Sequence, residues 1–338
     1  MKQNSKSRNI FLDLFKYFLC YLVIVIHLTN ETYSFFPLYR LAVPMFFLIS
    51  GYFIYSSDSN VLKEKSKNFI KRTIRYILVG FLIYIIFDFI MCFVDGNGVG
   101  YYFTTLFYED FLLEFFILNR PITYTGAQLW FLIALFVVSL IHFILVKFNK
   151  THYYKIIIPI CFAIYFFFAG YMYLLQYTDM PIRYTRNALF FGLPNFALGF
   201  MLRKINFHKK SWYKYLYLAL GIIFFFLQVA EYNLIKTENI SLEMYFSSVL
   251  SAVFLLQFFI GIKNTNCPFY YKWFGKNGPF YVYILHMAVS VVLSRIITFD
   301  NLLLKSFVVL LVSFLIYEIT YLLYLLFKKK TKSYDVNQ

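Results

Sequence analysis

Lys16 and His27 stand near the two ends of one apolar run, Lys16-Tyr-Phe-Leu-Cys-Tyr-Leu-Val-Ile-Val-Ile-His27. At about 100° per residue, the eleven steps between them close roughly three helical turns. The two side chains therefore share a face, about 16 Å apart along the axis, which is roughly half of a hydrocarbon core. An ionisable group inside lipid costs about 2.5–3.5 kcal/mol, which marks both residues as functional candidates. An imidazole titrates near neutral pH, so His27 is suited to work as a base or as an acyl carrier. A polar face that runs from the membrane surface into its depth suggests chemistry conducted across the membrane.

Other residues qualify by type and spacing. Arg40 precedes Pro44-Met-Phe-Phe-Leu-Ile-Ser50-Gly51-Tyr-Phe, where Ser50 and Gly51 would also suit plain helix packing. Arg72 and Arg75 are three apart, share a helix face and suit phosphates through bidentate hydrogen bonds, although charge beside a span can serve orientation alone. Gln128 and Trp130 open a later apolar run; an aromatic belt accounts for Trp130, whereas the Gln128 amide needs a partner. His286 lies inside another run, just beyond Asn277-Gly-Pro279, and a mid-span histidine must be paired or wetted. His142, His152 and His208 fall in or near inner loops and read as structural. There is no metal-ligand spacing, no phosphate-cradling glycine loop and no Ser–His–Asp signature. The four cysteines (Cys20, Cys92, Cys161 and Cys267) are scattered in apolar contexts and read as buried thiols.

The elements that hold these residues follow from composition. The chain is 61% hydrophobic and 14% charged, with 45 Phe and 32 Tyr among 338 residues. That excludes a soluble globule and a disordered chain alike. Apolar stretches of membrane length fall near 10–29, 37–55, 76–94, 128–146, 156–175, 187–202, 215–232, 244–262, 279–297 and 303–327. The expectation is an all-α integral membrane protein of about ten transmembrane helices. With a cytoplasmic N-terminus, 25 of the 32 Lys and Arg residues fall on inner segments. This bias places both termini in the cytoplasm. It also explains the net charge of +16 without a nucleic-acid partner. The first span reads as an uncleaved anchor, because no small-residue cleavage site follows it. Acids such as Glu31, Asp110, Asp179 and Glu243 collect in outer loops, as a solvated surface or as a cleft for a hydroxyl-rich substrate. Segment 101–118 is too polar for a comfortable span and reads as an interfacial or re-entrant helix.

Taken together, these residues resemble the type 3 membrane acyltransferase family, whose members O-acylate bacterial surface polysaccharides. A basic residue, ten residues and a histidine on the first helix match Lys16 and His27, with Lys in place of the commoner Arg. Phe-Phe-x-x-Ser-Gly-Tyr matches Phe46, Phe47, Ser50, Gly51 and Tyr52, and Arg-x-x-Arg matches Arg72 and Arg75. Leu-Trp-Phe-Leu matches Leu129 to Leu132, and Tyr-x-x-His matches Tyr283 and His286. The motifs occur in order over nearly the whole chain.

The resemblance implies one polytopic acyltransferase domain over 1–338, with a short basic cytoplasmic tail from about 328 and no appended esterase-like domain. It implies no bound cofactor and no metal. The co-substrate would be a cytoplasmic acyl-CoA, acetyl-CoA above all. Arg72 and Arg75 would meet its phosphates, and its thioester arm would pass Lys16 toward His27. The acceptor would be an extracytoplasmic glycan or a lipid-linked sugar, and the location a bacterial plasma membrane with its lipids as surroundings. Ten spans with buried polar residues also suit a transporter of glycan or small polar solutes. A non-catalytic partner of a polysaccharide synthase is a third reading.

Overall fold

A backbone amide in hydrocarbon must find its partner within its own segment or a closed barrel, and this chain does so with helices. A computed structural model describes residues 9–29, 35–96, 125–168, 186–205, 212–235, 242–262 and 277–335, together with Phe115, Asn119, Pro121 and Thr123. Among the described residues, eight helices are long and apolar enough to cross a membrane, and no strand occurs. The protein is an all-α, multi-pass membrane protein. Two of the ten expected stretches are not among the eight. The stretch 156–175 begins as a 13-residue helix, Tyr154–Phe166, and continues outside the described residues. The stretch 244–262 is an apolar helix of only 16 residues. Segment 101–118 lies outside the described residues apart from Phe115.

The chain divides into two compact units. The first holds α1 (Ile10–Thr29), α10 (Gly278–Ile296) and α11 (Leu302–Asp335), each packed on the other two. The α1–α10 contact is close because residue 278 has no side chain. A Cβ there would fall 1.8 Å from the Tyr17 hydroxyl. Beside it the Cys20 thiol donates to the Pro279 carbonyl over 3.1 Å. The Tyr21 hydroxyl reaches the Leu303 carbonyl at 3.4 Å, which ties α1 to the start of α11.

The second unit holds α2 (Phe36–Tyr39), α3 (Ala42–Ile54), α4 (Ser59–Val94), α5 (Trp130–Lys147), α6 (Tyr154–Phe166), α7 (Leu193–Ile205), α8 (Tyr213–Ile235) and α9 (Phe246–Gly261). The expected span 37–55 is interrupted at Arg40 and Leu41. Pro44 has no amide to bond the Arg40 carbonyl, so the helix restarts with Pro44 in its first turn, where a missing N–H costs little. The expected inner loop before residue 76 is instead the first half of α4, a helix of 36 residues. Leu62, Ser66, Phe69 and Thr73 form its buried stripe, continued by Gly80, Tyr84, Asp88 and Cys92. The lysines of this half lie off that stripe, so charge and helix are compatible. Asp58 caps α4 by accepting from the Asn60 and Val61 amides at 2.8 and 3.0 Å.

Helices α3 and α7 cross where two glycines interlock. A Cβ on Gly51 would sit 1.9 Å from the Phe196 carbonyl oxygen, and one on Gly199 would sit 2.0 Å from that of Leu48. Lipid offers no hydrophobic drive between helices, so such close approach is the main source of attraction. The opposite faces carry exposed Leu78, Leu82, Ile86 and Ile90 on α4 and Ile222, Ile223 and Phe226 on α8, as a lipid-facing surface requires.

Candidate active site

In the first unit, α1 holds Lys16 and His27 at opposite ends of one helix, as their spacing predicts. Lys16 is not a lone cation. Its Nζ donates to Asp13 Oδ1 over 2.9 Å, three residues back on the same helix. Asp13, which the sequence analysis does not single out, is only 4% exposed. The i, i+3 spacing was the signal that could have found it. The pair lets both groups enter apolar surroundings, since an ion pair costs less to bury than either charge alone.

His27 is half-buried in the last turn of α1, and its ring lies 5.5 Å from that of His286, centre to centre, with 34° between the planes. His286 is 1% exposed. Its Nδ1 lies 2.6 Å from the Tyr283 carbonyl, one turn back on α10. A carbonyl can only accept, so Nδ1 carries a proton, and in a neutral ring Nε2 is then the bare lone pair. That Nε2 is buried without a hydrogen-bond partner among the described residues. Buried polar atoms are nearly always satisfied, and a native exception calls for a reason such as catalysis or an absent ligand.

The other expected residues belong to the second unit. Arg40 is buried, and its Nη1 donates to Glu243 Oε2 over 2.8 Å, with the guanidinium 4.8 Å above the Phe36 ring. Arg186 Nη1 approaches the second Glu243 oxygen at 3.7 Å and stacks 4.9 Å above Trp130. Burial opposes ionisation of Glu243, but the charges of Arg186 and Arg40, with the Arg40 hydrogen bond, outweigh it and lower its pKa. Trp130 thus backs a cation. Gln128 donates from Nε2 to the Tyr84 hydroxyl, the partner its position required. Ser50 returns its proton to the Phe46 carbonyl of its own helix at 2.8 Å, next to the glycine crossing. Arg72 and Arg75 are exposed on α4, away from its buried stripe, with Arg72 5.1 Å above Phe69.

His142, expected near an inner loop, is fully buried in α5. Its two nitrogens lie 3.1 Å from Ser66 Oγ and 2.8 Å from the Tyr154 hydroxyl. Ser66 already donates to the Leu62 carbonyl over 2.7 Å. Nε2 of His142 must therefore donate to Ser66, and Nδ1 accepts from Tyr154. Ser66 has no proton to yield to this ring, so the pair is a structural bridge and not a nucleophile with its base.

Apolar helices of membrane length, with buried histidines in each unit, define a multi-pass membrane protein. The model of the type 3 acyltransferase domain matches residues 9–327, and the chain belongs to that acyltransferase family. No curated protein and no solved structure matches it.

Proposed function

We propose that this protein is an O-acyltransferase of the bacterial plasma membrane. It moves an acyl group, acetyl in the simplest case, from cytoplasmic acyl-CoA to a hydroxyl of a cell-surface or lipid-linked glycan. The observation that carries the reading is the His27–His286 pair, two imidazoles in contact with one buried ring nitrogen lacking a partner. Family membership supplies the reaction class.

As a base, His27 takes the proton of the acceptor hydroxyl while that oxygen attacks the thioester carbonyl. The C–O bond forms, the C–S bond breaks, and the proton passes from His27 to the departing sulfur as CoA thiol. As a carrier, His27 takes the acyl group first and yields it to the hydroxyl, with the same overall balance. His286 orients and buffers the pair, because its Nδ1 is committed to Tyr283 while Nε2 is left as an acceptor. Lys16, held by Asp13, is the donor-side residue of α1, and the exposed Arg72 and Arg75 of α4 add diffuse positive charge that attracts an anionic donor.

The test is transfer of radiolabel from acetyl-CoA to glycan in vesicles that contain the purified protein. Mass spectrometry of surface glycan from cells with and without the gene adds the product, and loss of acetyl substitution in its absence is expected. Solute movement without acyl transfer would instead support the transporter reading.

A further inference from the structure

We propose that a pocket in the second unit, formed where the ends of α3, α5 and α7 meet the start of α4, binds a phosphate of the donor's nucleotide half. The proposal rests on the acyl-CoA reading above and deepens it, since the geometry points to a site other than Arg72 and Arg75.

The pocket has a volume of about 210 Å³. Its polar lining is Ser56, Ser57, Ser59, Asn149, Thr151 and Lys204. Four hydroxyls, one amide and one ammonium make a set of donors, and no carboxylate lines the cavity. Among the described residues, the Lys204 ammonium pairs with no acid. Two neighbouring cations are already committed: Lys65 donates to the Tyr55 carbonyl over 2.9 Å, and Arg203 to the Tyr52 hydroxyl over 2.9 Å. Asp58, the acid nearest in sequence, accepts from the first amides of α4. The apolar side is the edge-to-face pair Tyr55 and Phe200, 5.1 Å apart.

The setting adds charge. The segments 55–67, 146–155 and 200–205 that build the pocket carry eight Lys and Arg residues against Asp58 and Glu64. This is the end of the unit that the charge bias assigns to the cytoplasm, where an acyl-CoA is available. Hydroxyl and ammonium donors around an open cavity, with a positive field about it, suit a phosphate. Arg72 and Arg75 offer no comparable enclosure. Arg72 lies ten residues beyond Leu62, the last α4 residue of the pocket, which is about 15 Å along the axis.

The test measures equilibrium binding of coenzyme A to the full chain in lipid nanodiscs at physiological salt, where diffuse attraction is screened. Lys204→Glu, which reverses an exposed charge, is expected to weaken binding about tenfold or more, as loss of a hydrogen bond to a charged group implies. Ser57→Leu, which fills the cavity, should weaken it similarly. Lys214→Glu, on α8 and outside the pocket, should leave it within about twofold. Equal binding by wild type and Lys204→Glu overturns the assignment, as does equal weakening by Lys214→Glu, or a wild type that binds no coenzyme A. Two further arms separate the sources of phosphate. A Lys204→Glu effect seen only in discs containing phosphatidylglycerol gives the pocket to a lipid headgroup. A loss of inorganic phosphate binding with coenzyme A binding intact gives it to a free anion. Either result overturns the donor assignment. Coenzyme A binding is read without any transfer, so a wild type that binds it through Lys204 but acylates no glycan keeps the pocket and rejects the enzymatic reading.

Discussion

Two buried histidines in this molecule have opposite surroundings. In the second unit His142 has both nitrogens engaged, by Ser66 and Tyr154, and those partners are themselves bonded onward or buried. In the first unit His286 has one nitrogen fixed by Tyr283 and the other buried without a partner, with the His27 ring beside it. The same side chain is structural in one place and chemically open in the other. What separates them is whether every lone pair and proton is already spent. Near His142 the polar accounts close. Near His286 a lone pair is left in a place where leaving it costs free energy, and the proposed acyl transfer would use such a group.

The largest effect that would test this contrast is at His27. His27→Ala should lower acyl transfer by about 10²–10⁴-fold, the usual contribution of a general base, with membrane insertion unchanged. Retained transfer in radiolabel assays would erase the distinction between the two histidine settings.

Glu243, in the second unit, gives the next largest effect. Glu243→Gln leaves Arg40 and Arg186 without their shared carboxylate, and breaking a buried pair typically costs about 3–5 kcal/mol. A lower thermal midpoint is expected, with transfer per folded molecule preserved. The pH dependence has a definite sign. Because the folded-state pKa of Glu243 is lowered, its stabilisation is present above the ordinary carboxylate range and is lost as pH falls through the folded value. Acid titration of wild type against Glu243→Gln should show the wild type losing its advantage below that range. Parallel curves would contradict the assigned pair.

A matched pair of substitutions compares the histidines directly. His142→Ala should cost about 1–3 kcal/mol of stability by orphaning its partners, with kcat of the folded protein unchanged. His286→Ala removes one satisfied and one unsatisfied ring nitrogen, so it should cost less stability than His142→Ala, and should lower kcat about tenfold to hundredfold with KM for the donor unchanged. If His286→Ala destabilised the protein as His142→Ala does, the open nitrogen would be a packing feature only.

The smallest effect is expected from Arg72→Ala combined with Arg75→Ala. Both are exposed, so their contribution is screened, and KM for acyl-CoA should rise by about tenfold at most. A much larger rise would move the donor's phosphates from the Lys204 pocket to this face of α4.

Much of the candidate site's local geometry was legible one residue at a time. Lys16 and His27 lie on one helix, so a periodicity of about 100° was enough to align them. Gln128 announced its need for a partner by being an amide in an apolar run, and Tyr84 supplies it. Asp13 could have been read beside Lys16, because i, i+3 is a local relation. Ser50 and Gly51 were open to packing or function, and the structure finds Ser50 bonded to its own helix and Gly51 against Phe196. The lysines in the first half of α4 hide it from a search for apolar stretches, although its buried residues recur at helical spacing.

Composition and local hydropathy were enough to specify an all-helical membrane protein and the places of its main apolar segments, because hydrocarbon selects helices by length and composition, both of which are local. Which polar groups meet follows from how the helices pack. Arg40 finds Glu243 across 203 residues. Cys20 finds Pro279 across 259, and His27 comes beside His286 by the same packing of α1 on α10. These pairings depend on helix contacts that no periodicity encodes. Whether a buried nitrogen has a partner is a property of those contacts, and it is the property on which the proposed chemistry rests.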